Sequence, residues 1–438
     1  MSAQSFAISR VGPPIRQALR SDFVRHSAIV FGAAMLGNIF NYAFNFALSR
    51  RLGVEGFATL SSLVSFLMIL SIPTSVLSLV VVKYTAIYHA AEDAARVRRL
   101  SQLVLQWSGV GAAGLFLVAA LLRAPIASFL RIEDLPLIVL TMAIIAVGVV
   151  TAGLRSVLQG EQDFVRYSVS TIMEIGIKVA IAVALVYAGF GVRGAMLGWI
   201  IGSACALVYT VWAALVKHGS HADGRCPLDL DVRRLVQTTA GVGLATGFLT
   251  LISFLDVVLV KHYFSAHQAG LYAAANLTGK VVLFVVAFVP AVVLPKAVAK
   301  TACDDDPVPL LLQAGSITLV MSGAALAVFG IFSSQVVRVI AGRDFVAAAQ
   351  YVLQYDLAMC LLAVLTLLVN YRIGVHRFGF LYALGFVLAA EIGAIAVFHR
   401  TLWDVIHILL IGNAAGVAGC LAGLAGKARL HPSMSEAA

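Results

Sequence analysis

The sequence predicts an all-α polytopic membrane protein with about twelve transmembrane helices. Two observations carry this. Of the 438 residues, 61% are hydrophobic and only 12% are charged, against about a quarter charged in a soluble domain, so the charges are too few to coat a globule. The apolar residues also come in long blocks without the period of a half-buried strand or an amphipathic helix, and blocks of about eighteen or more read as spanning helices. Backbone groups in lipid must bond internally, and at this block length only helices do so.

The blocks follow one another near residues 26–48, 57–82, 103–122, 135–154, 168–189, 195–216, 236–260, 273–295, 309–332, 351–369, 378–398 and 405–425. Arg10, Arg16, Arg20 and Arg25 precede the first block, as in a signal peptide, but that block is longer than a signal core and reads as a permanent span. The connections are too short for a folded domain outside the membrane. The chain therefore divides into an N-terminal segment 1–25, six spans over 26–216, a linker 217–235, six spans over 236–425 and a tail 426–438. With the N-terminus inside, the cytoplasmic segments hold twenty of the 31 Lys and Arg residues, the opposite side nine, and two lie within spans. That bias puts both termini in the cytoplasm. It also accounts for the net charge of +10 without a nucleic-acid partner. The five cysteines (Cys205, Cys226, Cys303, Cys360 and Cys420) are odd in number and scattered, giving neither a disulfide framework nor a metal site.

An internal repeat runs through the two halves. "IPTSVL" at 72–77 answers "VPAVVL" at 289–294, with a lysine ten residues after each proline, Lys83 and Lys300. Upstream, "RRLGVEGFATLSSL" (50–63) answers "KHYFSAHQAGLYAAANL" (261–277). Six spans per half is even, so the halves enter the bilayer in the same sense, as a parallel repeat. Pro73 and Pro290 fall inside matched spans, where each kinks its helix; they are candidate hinges or ordinary packing kinks.

Some motifs mislead. "GFGVRG" (189–194) matches a dinucleotide fingerprint, but here it joins two spans rather than a strand and a helix. It continues as Gly194, Gly198 and Gly202, one glycine per turn on one face, which lets another helix approach closely. "CDDDPVP" (303–309) reads as a solvated loop. The sequence contains no H-E-x-x-H and no Walker A motif, so this chain does not itself hydrolyse ATP.

Glu174, Lys178, Asp256, Lys280, Asp356 and Glu391 fall inside or near the ends of predicted spans. Each costs roughly 2.5–3.5 kcal/mol at the bilayer centre, so such residues face a bundle interior or a wet cavity and tend to pair. Glu174 and Lys178 are four apart and predict an ion pair on one helix face, either structural or part of a polar transport wall. Lys280 has no acidic neighbour on its own helix and needs one from another span, such as Asp256, or water and a substrate phosphate. Asp356 and Glu391 lie near span ends and can reach the interface. Asn38, Asn41 and Asn45 line one face of the first span, for helix–helix bonding or for substrate.

The stretches "FALSRRLGVEGFATLSSLVSF" (46–66), "LRSVLQGEQDFVRYSVSTIMEIGIKVAIAVALVYAGFGVRGAMLGWIIGSACAL" (154–207) and "FLDVVLVKHYFSAHQAGLYAAANL" (254–277) together resemble the oligosaccharide and polysaccharide flippase branch (PST-type, O-antigen flippase-like) of the MOP exporter superfamily. The resemblance implies two six-helix bundles around a central cavity, a MOP/MATE-like fold. It implies movement of a polyprenyl-diphosphate-linked oligosaccharide across the bacterial inner membrane by alternating access, with no catalysis and no cofactor beyond a proton or sodium gradient. A polysaccharide polymerase and a chain-length regulator are the implied protein partners. By analogy with the cationic cavities of that family, Lys178 and Lys280 would meet the diphosphate, with Arg50 and Arg51 at the periplasmic mouth. Glu174 beside Lys178 departs from that pattern and would partly neutralise the site. The competing reading is a MATE-like cation-coupled multidrug antiporter in which Asp256 or Glu174 exchanges protons. Lipid II flippases have fourteen spans, more than the twelve counted here, and a membrane glycan polymerase would need a large extramembrane loop that this sequence lacks.

Overall fold

The computed structural model describes the backbone of residues 13–216, 232–302, 306–375 and 378–425. The first twelve residues, the expected linker as far as residue 231, the tail from 426, Cys226, and Cys303 with the two aspartates after it lie outside the described residues. The described chain is helical, without a strand. Its helices are α1 (Pro13–Leu70), α2 (Ile72–Ala90), α3 (Ala94–Leu121), α4 (Arg123–Phe129), α5 (Leu135–Gly160), α6 (Phe164–Leu185) and α7 (Gly191–Val216), then α8 (Val232–Tyr263), α9 (Ala266–Val286), α10 (Phe288–Ala302), α11 (Val308–Ile331), α12 (Ser333–Ile340), α13 (Ala349–Gly374), α14 (Phe380–Val397) and α15 (Leu402–Ala425).

Ten stretches of the described chain are long and apolar enough to cross a membrane, and two of them double back. Helix α1 is broken at Gly53, with φ 68° and ψ −177°. Asn41 and Asn45 before this break and Val64 and Met68 after it line the same cavity, so the chain reverses there. The second reversal follows α6, where Gly189 and Gly191 take φ of 97° and 55°, values open to glycine at no steric cost. The passes so defined are compatible with the twelve expected, arranged as two six-helix bundles about a central cavity.

The second pass of each bundle is interrupted at a matched place. Helix α1 stops at Leu70 and resumes after Ser71 as α2; α9 stops at Val286 and resumes after Ala287 as α10. Pro73 and Pro290 stand in the first turn of the resumed helix, where a missing N–H leaves no broken bond. The short helices α4 and α12 likewise follow the third pass of each bundle.

Apolar packing joins the bundles. Phe44, Leu48, Phe57 and Leu60 of the first share one buried cluster with Val258, Leu271, Phe345 and Val352 of the second, and the Phe57 and Phe345 rings meet edge to face at 5.6 Å. Trp107, Val208 and Phe386 are 71%, 72% and 75% exposed on the outside, a surface that suits acyl chains and not water.

The glycine stripe of α7 fixes where α6 sits. A Cβ on Gly198 would lie 2.3 Å from Ala182 N, and one on Gly202 would lie 2.6 Å from Glu174 O and 2.8 Å from Lys178 N. Gly198→Ala is therefore expected to lower thermal stability by about 1–3 kcal/mol. Gly111→Ala, with nothing within 4 Å of the added atom, is expected to be neutral or to stabilise by about 0.5–1 kcal/mol. Unfolding midpoints of the purified variants check both.

Candidate functional site

The cavity between the bundles encloses about 330 Å³. It is lined by Asn41, Tyr42, Phe44, Asn45 and Met68 of α1, Arg155 of α5, Glu174 and Lys178 of α6, Trp199 of α7, Phe254 of α8, and Leu277, Lys280 and Phe284 of α9. Five of the residues singled out from sequence thus meet in one place: Lys178, Lys280, Glu174, Asn41 and Asn45. Asn38, one turn back on the same helix, does not line it.

Lys178 is 5% exposed. Its ammonium donates to Asn41 Oδ1 at 2.7 Å and lies over the rings of Trp199 and Phe44, at 4.3 and 4.9 Å from their centroids. Amide and π-faces solvate the cation without neutralising it. The close α6–α7 approach that Gly202 permits places the Lys178 backbone beside α7, and Trp199 stands one turn away on that helix. Asn45 holds its own amide on Asn41 O at 2.8 Å. Lys280, from the other bundle, lies 4.5 Å from the Phe254 ring centroid.

Glu174 does not pair with Lys178, contrary to the four-residue spacing. Its Oε2 meets Arg155 Nη2 at 2.7 Å, and its Oε1 accepts from Ser203 Oγ at 2.8 Å. Spacing on one helix makes a pair available, but a guanidinium on the neighbouring helix offers the better geometry. Arg155 also donates from Nε to Ser170 Oγ at 2.8 Å and from Nη2 to Ser170 O at 2.9 Å, and Ser170 Oγ is 2.7 Å from Thr210 Oγ1. The one carboxylate on the wall is therefore engaged inside the first bundle.

The sequence puts Arg155 in a cytoplasmic segment, because the fourth apolar block ends at residue 154. Helix α5 runs on to Gly160, and the apolar Val157 and Leu158 that follow Arg155 are the sequence sign that the span continues. Arg372 was misplaced in the same way: it is buried in α13, donating to Cys420 O at 2.8 Å.

Asp256 is neither at the cavity nor paired with Lys280. It is 3% exposed, and its Oδ2 accepts from Tyr272 at 2.7 Å and Tyr355 at 3.0 Å. Asp356 and Glu391 do not reach the interface: they are 0% and 5% exposed. Thr278 donates to Asp356 Oδ1 at 3.0 Å, while Asp256 Oδ1, Asp356 Oδ2 and Glu391 Oε1 have no protein partner. The second bundle thus holds a buried carboxylate–tyrosine cluster behind the cavity wall. Arg50 and Arg51 lie at the far rim and do not line the cavity. Arg50 is hydrogen-bonded to α12, and Arg51 lies 5.5 Å from the Tyr187 ring centroid.

A family profile described as "Polysaccharide biosynthesis protein" matches residues 23–298. A search of the curated proteins found no match. Among solved structures, the chain superposes on an inward-facing multidrug resistance MATE family transporter of the MOP superfamily with a TM-score of 0.77 and 15% identity, over 91% of this chain and 98% of that one. It superposes on the lipid II flippase MurJ, in an inward closed conformation, with a TM-score of 0.70 and 13% identity, over 92% and 87%. An outward-facing MATE family transporter gives 0.62 and 18%, over 92% and 95%. These likenesses establish the fold.

Removing Arg155 leaves Glu174 facing the interior alone. Arg155→Met is expected to cost of order 3 kcal/mol, and adding Glu174→Gln is expected to recover most of it, read as thermal midpoints of the single and double variants.

Proposed function

The chain belongs to the polysaccharide biosynthesis protein family, whose profile covers residues 23–298, and on that footing we propose that it carries a polyprenyl-diphosphate-linked oligosaccharide across the bacterial inner membrane by alternating access. It is a multi-pass membrane protein with the fold of MOP superfamily transporters. The observation that carries the substrate assignment is the charge of the cavity. Lys178 and Lys280 reach it from opposite bundles with no carboxylate bonded to either: Glu174 is held by Arg155, and Asp256, the acid nearest Lys280, accepts from Tyr272 and Tyr355. Two ammonium groups left in this way suit a diphosphate, which lysine binds as a point charge. Phe44, Trp199 and Phe254 offer ring faces to sugars, and Asn41 and Asn45 offer amides.

Alternating access requires each bundle to bend. The interruptions at Ser71–Pro73 and Ala287–Pro290 sit at equivalent places and are proposed as the hinges. A proton or sodium gradient would drive the cycle, both termini would be cytoplasmic, and a polymerase with a chain-length regulator would take the glycan at the other face. One observation favours the second reading, a cation-coupled drug antiporter. Asp256 and Asp356 each keep a buried oxygen without a protein partner, which suits an exchanging cation, whereas Glu174 is tied to Arg155.

Substrate tests separate the two. Deletion of the gene should abolish surface glycan and accumulate its lipid-linked precursor; unchanged glycan with increased sensitivity to cationic dyes supports the antiporter. In the flippase, Lys178→Ala and Lys280→Ala should each lower glycan export about tenfold or more at normal protein level, since a charge-assisted bond contributes about 1.5–3 kcal/mol. Equal loss of protein and export would mean that the lysines serve only the fold.

A further inference from the structure

The first pass of each bundle ends at the face opposite Pro13, here called the outer face, and so does the third. Among the contacts that cross between the bundles at that face, two are reciprocal in topology. Arg50, at the end of the first pass, reaches over to α12 of the second bundle. Its Nη2 donates to Val339 O at 2.5 Å, with Arg338 O 3.5 Å away, while its Nη1 donates to Phe46 O of its own helix at 2.8 Å and lies 3.4 Å from Ile340 O. The backbone leaves these carbonyls open: Ala341 N and Gly342 N both bond Val337 O, and the last carbonyls of a helix have no partner within it.

His262, at the end of the seventh pass, reaches back to α4 of the first bundle. Its Nδ1 lies 2.7 Å from Phe129 O. A carbonyl only accepts, so Nδ1 carries the proton and donates. The imidazole also stacks on the Phe129 ring, 4.3 Å between centroids and 18° between planes. Phe129 O is again an open carbonyl, because Leu130 N, Arg131 N and Ile132 N bond Ile126 O, Ser128 O and Ala127 O. Each bundle thus supplies a basic side chain that caps the short helix of the other, and the two side chains come from matching dipeptides of the repeat one position out of register, "RR" at 50–51 and "KH" at 261–262. Basic groups at helix C-termini are favourable for both hydrogen bonding and dipole.

Beneath the caps the seam is tight. A Cβ on Gly270 would lie 2.2 Å from Val54 O. Asn41, on the cavity, is nine residues from Arg50, about 13 Å along the helix, so the seam lies over the cavity. The caps sit at the rim, where water replaces a carbonyl's lost donor, so breaking them strands no buried polar group. Directional, water-replaceable contacts at a closed seam are what a reversible closure requires.

We infer that Arg50 and His262 are reciprocal clasps that hold the outer seam shut over the cavity and let go when the cavity opens outward. This rests on alternating access but on no particular substrate. The test uses the full chain in cell membranes, with its five cysteines replaced and Val64→Cys, on the cavity wall, as the reporter. A membrane-impermeant maleimide is applied to the outer face of spheroplasts or to the inner face of inverted vesicles. Arg50→Ala and His262→Phe, which keeps the stack but loses the donor, should each raise outer-face labelling about tenfold, a shift of about 1.4 kcal/mol. The double variant should exceed either, with inner-face labelling unchanged or lower. Arg51→Ala, whose guanidinium lies by the Tyr187 ring of its own bundle, should change nothing. Outer-face labelling that stays at the parent rate overturns the inference; so does a rise at both faces together, which reports a loosened fold. Because the readout needs no glycan, failure of the flippase assignment and failure of the clasp are told apart.

Discussion

An ammonium at the centre of a bilayer costs roughly 2.5–3.5 kcal/mol unless it is solvated, and this protein keeps two such groups without bonding either to a carboxylate. Lys178 and Lys280 instead reach a cavity between bundles, where an asparagine and aromatic faces stand around them. The helix packing follows from that requirement. Gly198 and Gly202 bring α7 against the backbone of α6, so Trp199 and Lys178 share one wall. The Gly53 reversal sets Asn41 and Asn45 opposite Val64 and Met68 around the same space. Arg155 engages Glu174, the carboxylate nearest Lys178 on its own helix, so that it forms no ion pair with that lysine.

The two bundles treat their acids differently. In the first, a chain of bonds from Thr210 through Ser170 and Arg155 to Glu174 and Ser203 ends at the cavity wall. In the second, Asp256, Tyr272, Tyr355 and Asp356 form a compact cluster behind the wall. One arrangement shapes the surface that a substrate meets. The other holds buried carboxyl groups away from that surface.

Much of this was legible in the sequence because membrane helices obey few rules. Long apolar blocks mark the passes, the recurrence of proline and glycine marks matched interruptions, and of the six charges isolated in oil three, Glu174, Lys178 and Lys280, line the cavity, the two lysines being those the family resemblance singles out. What failed was partner assignment. A spacing of four suggested Glu174 with Lys178, but a one-dimensional rule cannot see Arg155 arriving from α5. Asp256 is the acid that Lys280 feels across the bundle, but it forms no ion pair with it, because two tyrosine hydroxyls hold its carboxylate. Asp356 and Glu391 were read as interfacial because their spans were drawn by hydropathy, which does not tell lipid-facing from core-facing positions within a helix. The reciprocal caps at Arg50 and His262 were invisible for the same reason, since their acceptors are backbone carbonyls.

The central claim is that Lys178 and Lys280 face water and not lipid. Spin labels placed singly at 178, 280 and the lipid-exposed position 208 test it by collision with a water-soluble nickel chelate and with oxygen. The chelate should dominate relaxation at 178 and 280, and oxygen at 208. Oxygen-dominated relaxation at 178 and 280, matching 208, would place both side chains among acyl chains and contradict the account.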